Sequence, residues 1–211
     1  MQKELNNLSD THVVLSTAYL APVQYYSIFK NVVKVSLEQH EHYIKQTYRN
    51  RCRILSAGGA MDLSIPVEKI SNAKQPIRDV CISYQTNWQQ QHWRSIESAY
   101  NSTPFFEYYK DDFVPFYEKK WTFLWDFNMQ LHEKVIELLD LDVIFHFTSE
   151  YQAALKKNTI DLRDEIHPKK ETKSDNIQTY YQVFASKFGF TPNMSIVDLL
   201  FNMGNESILK L

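Results

Sequence analysis

Glycine is scarce in this sequence: four residues in 211. Loops that cradle phosphate with backbone N–H groups need glycine for close approach. Neither a GxxxxGK loop followed by Ser or Thr nor a GxGxxG turn occurs. HExxH and the GxSxG elbow are missing too. If phosphate is bound, side chains must do it. Only two cysteines occur, Cys52 and Cys81. They make no disulfide framework and fit a reducing compartment. The formal net charge is −2, so the chain as a whole is no polyelectrolyte binder, and no nucleic-acid role is expected. No apolar run approaches the roughly 20 residues that cross a bilayer. The opening "MQKELNNLSDTHVVLSTAYL" has no basic segment ahead of a cleavable apolar core. A soluble, cytoplasmic chain is expected.

Apolar material is plentiful. Hydrophobic residues make up 44% and aromatic residues 14%, with 13 Tyr, 13 Phe and 4 Trp. That is enough for one well-packed core, and one domain over residues 1–211 is the expectation. "HVVLSTAYL" reads as a buried strand and Pro22 ends it. "PVQYYSIFKN" reads as a helix and "VVKVSLEQH" as a second strand, so the opening is strand–helix–strand with a parallel pair. Two strands flank Gly58-Gly59 as a hairpin. "IRDVCISYQ" alternates like a further strand. From Trp88 the period becomes helical: "WQQQHWRSIESAY", then an aromatic stretch punctuated by Pro104 and Pro115. "FLWDFNMQLHEKVIELL" is the clearest helix, with Leu124, Phe127, Leu131, Val135 and Leu138 on one stripe. "DVIFHFTSEY" reads as a strand and residues 161–176 as a charged, mobile loop. Ser195 fits an N-cap, with Asp198 in the capping-box position and Gly204 at the helix end. Strands mostly early and helices mostly late imply an α/β domain.

Several segments in order resemble the WbqC-like family in its Bacteroidetes form: "LSTAYLAPVQYYSIFK", "QHEHYIKQTYRNRCRIL", "LSIPV", "HWRSIESAYNSTPFFEYY" and "KFGFTPNMSIVDLLFNMG". They span Val14 to Gly204. The resemblance implies a place in O-antigen or other surface-polysaccharide synthesis, with transfer of an amino-acid, acyl or related group to a sugar. Many family members carry a His-Gln-Pro segment before the first turn, where this chain has Ser16, Thr17 and Ala18. A hydroxyl there can replace a hydrogen bond but not an imidazole base.

The stretch "EQHEHYIKQTYRNRCRIL" concentrates the chemistry. As a strand it puts Arg49, Arg51 and Arg53 on one side within about 14 Å, with Asn50, Cys52 and Ile54 toward the core. Forked guanidiniums suit phosphate or carboxylate, and Lys45 adds a point charge. The strip is either an anion clamp for a sugar nucleotide or similar molecule, or a solvated face paired with nearby acids. Glu38, His40 and His42 also alternate. Neighbours on a strand face lie nearly 7 Å apart, roughly twice the 3.4 Å rise, which makes a three-ligand metal site hard to form. The other use is a polar face with His40 or His42 as general acid or base. Tyr19 and Gln24, at the first strand–helix turn, are placed to orient a substrate. His92 reads as a hydrogen-bonded core residue or as part of the site, and Tyr100 as core or as a platform for a sugar ring. No motif names a cofactor. The expected function is a transferase with His40 or His42 as base and Lys45, Arg49, Arg51, Tyr19, Gln24, His92 and Tyr100 on the substrate. The alternative is a non-catalytic protein of the same pathway that docks an anion or a partner.

Overall fold

Strand β1 (His12–Ser16) carries the apolar run Val13-Val14-Leu15 and is buried on both sides. A computed structural model describes residues 12–32, 34–69, 74–156, 158–170 and 178–211. The chain turns at Leu20, whose φ is 39°. A bulky side chain in that region stores strain, so the turn must be held from outside. Tyr19 N–H donates to the Tyr48 carbonyl at 2.8 Å, and Ser195 Oγ donates to the Leu20 carbonyl at 2.8 Å. Helix α1 (Val23–Asn31) starts after Pro22, which has no N–H to lose. Strand β2 (Lys34–Glu38) returns parallel to β1, and Ser16 lies opposite Glu38.

The expected hairpin is present, with β3 (Arg51–Ser56) antiparallel to β4 (Gly59–Ser64) and Gly59 at φ 105°. Helices α2 (Trp88–Tyr100), α3 (Phe106–Glu118) and α4 (Leu124–Leu138) follow. Two short strands, β5 (Phe145–Phe147) and β6 (Thr159–Asp161), complete a four-stranded parallel sheet of order β5-β2-β1-β6. The chain closes with α5 (Ala185–Phe188) and α6 (Ile196–Met203). The fold is mixed α/β, as the periodicity implies. No helix among the described residues is long and apolar enough to cross a membrane.

Three readings of the sequence change. The stretch around Val80 forms isolated bridges, Val67 with Ile82 and Cys81 with Phe123, after a 3-10 turn at Ile77–Asp79. Its alternation reflects burial of Ile77, Val80 and Ile82 rather than a ladder. Helix α3 runs through Pro115 instead of stopping there. Strand β6 escaped notice because three residues carry too little pattern. The charged segment after it has Leu162 and Arg163 buried, while residues 171–176 of the expected loop lie outside the described residues.

Aromatic rings join the layers. Phe29 of α1 lies 4.9 Å from the His132 ring of α4, which lies 5.0 Å from Phe145 of β5. Phe201 of α6 meets Tyr100, Phe106 and Phe113 at 5.2–5.6 Å. Burying each such ring contributes about 2–3 kcal/mol.

Asp198 is not a capping residue. Ser195 spends its hydroxyl on Leu20, and the Asp198 carboxylate turns inward. It accepts from Tyr100 Oη at 3.0 Å, Tyr180 Oη at 2.7 Å and Gln182 Nε2 at 2.7 Å. Tyr100 Oη in turn accepts from Leu55 N–H of β3. Burial raises the carboxyl pKa against the pull of these donors. One side chain thus ties α2, α6, β3 and the 180–182 segment. Asp198→Ala orphans three buried donors and is expected to cost about 3–5 kcal/mol in urea unfolding. A loss near zero would show that the hub is dispensable.

Candidate functional site

The three arginines of the opening strip do not share a face. Strand β3 begins only at Arg51, because Gln46 at φ 62° turns the preceding loop inward. Arg49 is therefore carried into the protein and is 3% exposed. Its Nε donates to Glu41 Oε1 at 2.8 Å and its Nη2 to Glu41 Oε2 at 2.5 Å. Nη2 also lies 2.7 Å from Ser16 Oγ and 3.3 Å from Asp164 Oδ1. Arg53 stays on the hairpin and is paired with Asp62, its cross-strand neighbour, at 2.7 Å. Arg51 is half-buried, and its Nε has no hydrogen-bond partner among the described residues. Lys45 is exposed on the loop. The predicted clamp of three side-by-side guanidiniums is thus corrected. A tight loop removes Arg49 from the row, and the hairpin register gives Arg53 an acid.

The strand register builds a different cluster. Ser16, Glu38 and Asp161 stand at the carboxyl ends of β1, β2 and β6. Leu162 N–H donates to the Val14 carbonyl, which places Arg163 beside that edge. Arg163 donates from Nε to Asp161 Oδ1 at 2.9 Å and from Nη1 to Glu38 Oε2 at 3.2 Å. Glu38 Oε1 accepts from Thr148 Oγ1 and from the His40 N–H. Ser16 Oγ lies 2.8 Å from Glu41 Oε2 and 2.9 Å from the Arg163 carbonyl. Two buried carboxylates, Glu38 and Glu41, balance two buried guanidiniums, Arg49 and Arg163. Burial pushes the Glu41 carboxyl above its ordinary range, against the pull of Arg49 and Ser16. The Arg163 guanidinium holds Asp161 below the usual carboxylate range. A cavity of about 10 Å³ sits against this network, lined by Ser16, Thr17, Tyr25, Arg49, Arg163 and Ile166, among others. That is room for about one water. Thr17 Oγ1 is buried there with no partner among the described residues.

The WbqC-like protein family matches residues 17–175. That is most of the chain and includes every charged member of the network. The chain belongs to the WbqC-like protein family. The uncharacterized protein Rv1507c of Mycobacterium tuberculosis is 25% identical over 221 residues, covering 92% of this chain and 94% of its own length. No solved structure matches.

The remaining predicted site residues of this WbqC-like chain fall in separate places. Strand β2 ends at Glu38, so Glu38, His40 and His42 share no strand face. Among the described residues no group of three or more His, Cys, Asp or Glu is placed to hold a metal. His40 is half-buried with Nε2 3.1 Å from the Thr148 carbonyl. A carbonyl only accepts, so Nε2 carries the proton and Nδ1 is the basic nitrogen. His42 is exposed and bridges to Pro76. Tyr19 is fully buried, its hydroxyl 3.0 Å from His92 Nδ1 and 2.8 Å from Tyr117 Oη. Tyr100 is committed to Asp198 and Leu55. These three rings belong to the core, where tyrosines bring their own polar partners. Gln24 is half-buried at the start of α1 and accepts from Asn193 Nδ2 at 3.4 Å. Burial pushes the Cys52 thiol far up, which removes it as a nucleophile.

Sequence reading missed Glu41, Arg163, Asp161 and Asp164. Glu41 sat unremarked between two histidines, and the other three lay in or beside a stretch that resembled solvated loop. Their only signal was a charge pattern whose partners are up to 125 residues away.

Two predictions follow from this burial. Arg49→Met strands the Glu41 carboxylate and is expected to cost about 3–5 kcal/mol, while Arg49→Met with Glu41→Leu recovers most of the loss in chemical unfolding. Equal losses in the single and double variants would mean that the pair is not coupled. The second concerns pH. Burial lowers His92 to a pKa of about 4 and His132 to about 3, from 6.5. The unfolded chain then binds more protons below pH 6.5, so stability is full above 6.5 and falls as pH drops toward 4. Each imidazole contributes a loss on the order of 2 kcal/mol by pH 5. A urea midpoint unchanged between pH 7 and pH 5 would contradict this. His132→Leu removes its share of the slope.

Proposed function

We propose that this WbqC-like chain is a cytoplasmic group-transfer enzyme of surface-polysaccharide assembly, moving an amino-acid, acyl or related group onto a sugar. The pathway and the transferred group come from what the family resemblance implies. The place of the chemistry is supported by one observation: a buried, charge-balanced network at the carboxyl ends of β1, β2 and β6 borders a small cavity through Ser16, Arg49 and Arg163. Ligands of open parallel sheets gather at that edge. The strained turn at Leu20 adjoins it, and strain of this kind concentrates at functional sites.

His40 joins the network through its backbone: its main-chain N–H donates to Glu38 Oε1, and Glu38 holds Arg163, which lines the cavity, while the ring Nε2 meets the Thr148 carbonyl. In this reading Nδ1 takes the proton from an acceptor hydroxyl or amine as that group attacks the donor carbonyl, and the imidazolium returns the proton to the donor's leaving group as its bond to the acyl carbon breaks. The donor or acceptor is an anionic small molecule such as a sugar nucleotide. His42 is exposed and bridges to Pro76 instead.

A second reading rests on a separate feature. Among the described residues strand β5 is a sheet edge, paired with β2 alone, and Ile144 (75% exposed), Phe147 and Tyr151 are exposed on or near it in the chain. Such an edge suits a protein partner of the same pathway. One variant separates the readings. His40→Ala is expected to lower transfer at least 100-fold in an assay with sugar nucleotides and aminoacyl donors. Under the partner reading it leaves binding through β5 intact. Calorimetry showing no heat with any such donor would count against the transferase.

A further inference from the structure

We infer that Thr17 Oγ1 and the Arg49 guanidinium form a subsite for a monoanionic oxyanion, and that the Asp164 carboxylate, on Arg49 Nη2 outside the cavity, competes with the anion for that charge. The inference deepens the reading above, and rests on it for the larger molecule that carries the anion.

Two features of the cavity and one carboxylate beside it point this way. Thr17 is 1% exposed, and its hydroxyl has no partner among the described residues although it is buried beside the network. A buried hydroxyl without a hydrogen bond costs about 1–3 kcal/mol, so a ligand that supplies the acceptor recovers that cost. Neighbouring Ser16 shows the contrast, with its hydroxyl held by Glu41, Arg49 and the Arg163 carbonyl.

Arg49 is only partly used. Nε and Nη2 are fixed by Glu41 and Ser16, while Nη1 makes no hydrogen bond among the described residues. A guanidinium presents five donors in a planar fork. One side of this fork is locked to a carboxylate, which fixes the direction of the other. Arg49 and Thr17 line the same cavity.

Asp164 is the weak member. It meets Arg49 Nη2 at 3.3 Å, long for a charged hydrogen bond, and its side chain is 62% exposed. Glu41, by contrast, is buried and bidentate. Asp164 is therefore a carboxylate already resting on the buried cation and free to swing into water. The exchange also keeps the charge: one negative group leaves as one arrives. That favours a carboxylate or a phosphodiester oxygen over a doubly charged phosphate, because the remaining buried charges are already paired. The cavity admits about one water-sized atom, so only the terminal oxygen of the ligand enters.

The test uses the whole chain titrated with acetate and with dimethyl phosphate at constant ionic strength, followed by amide NMR shifts. Asp164→Ala is expected to bind about tenfold tighter than the parent, since the internal competitor is gone. Thr17→Val is expected to bind about tenfold weaker without losing melting temperature, since its hydroxyl is unpaired in the free protein. Acetate alone responding assigns a carboxylate, dimethyl phosphate alone a phosphodiester, and both the shared oxyanion chemistry. Equal affinity in all three proteins, or a lowered melting temperature in Thr17→Val, overturns the subsite. Binding of this pattern without transfer of any donor would retain the subsite and reject the transferase. Transfer that ignores Thr17→Val would do the reverse.

Discussion

The Arg49–Glu41 ion pair is the interaction on which the functional edge of this protein depends. Both side chains are almost fully out of water, and Arg49 spends two nitrogens on one carboxylate. In that setting the attraction roughly offsets desolvation, so the pair contributes little net stability but strongly penalises its own disruption. Its effect is to fix geometry. It pulls the 41–50 loop against the end of β1, where Ser16 bridges the two chains of contacts. Asn128 of α4 donates to the Arg49 carbonyl at 2.8 Å and closes the loop from below.

The same edge shows how a parallel sheet gathers chemistry from distant sequence. Strands β1, β2 and β6 lie side by side in parallel, so their carboxyl ends meet even though β6 follows β1 by more than a hundred residues. A second ion pair, Arg163–Glu38, forms there and anchors His40 through the shared Glu38. The strained Leu20 turn and the unpaired Thr17 hydroxyl sit on the β1 side. Polar groups elsewhere in the interior, such as Tyr19 with His92 and Asp198 with Tyr100, are closed networks that specify packing. At the β1 edge an open buried hydroxyl, Thr17 Oγ1, lies beside a cavity.

Legibility in the sequence followed the range of the interactions. The strand–helix–strand opening, the Gly58-Gly59 hairpin and helix α4 were readable, since periodicity and turn chemistry act over a few residues. Pro115 misled because packing of Phe113, Phe116 and Tyr117 carries the helix past it. Strand β6 and the alternating stretch near Val80 were misjudged because short segments take their state from neighbours. Among site residues, Arg49, His40, Glu38 and Ser16 were singled out, but Glu41, Asp161, Arg163 and Asp164 were not.

The chain's own order of residues determined the class of fold, the absence of a glycine-built phosphate loop and the supply of arginine and histidine near residues 40–53. Those follow from local geometry and residue chemistry. Which charges pair, which hydroxyl is left open and which rings are core were decided only by the tertiary structure. An ion pair is a contact between atoms, and the partners of Arg49 and Arg163 lie between 2 and 125 residues away along the chain. No spacing rule connects them until the sheet register brings them to one edge.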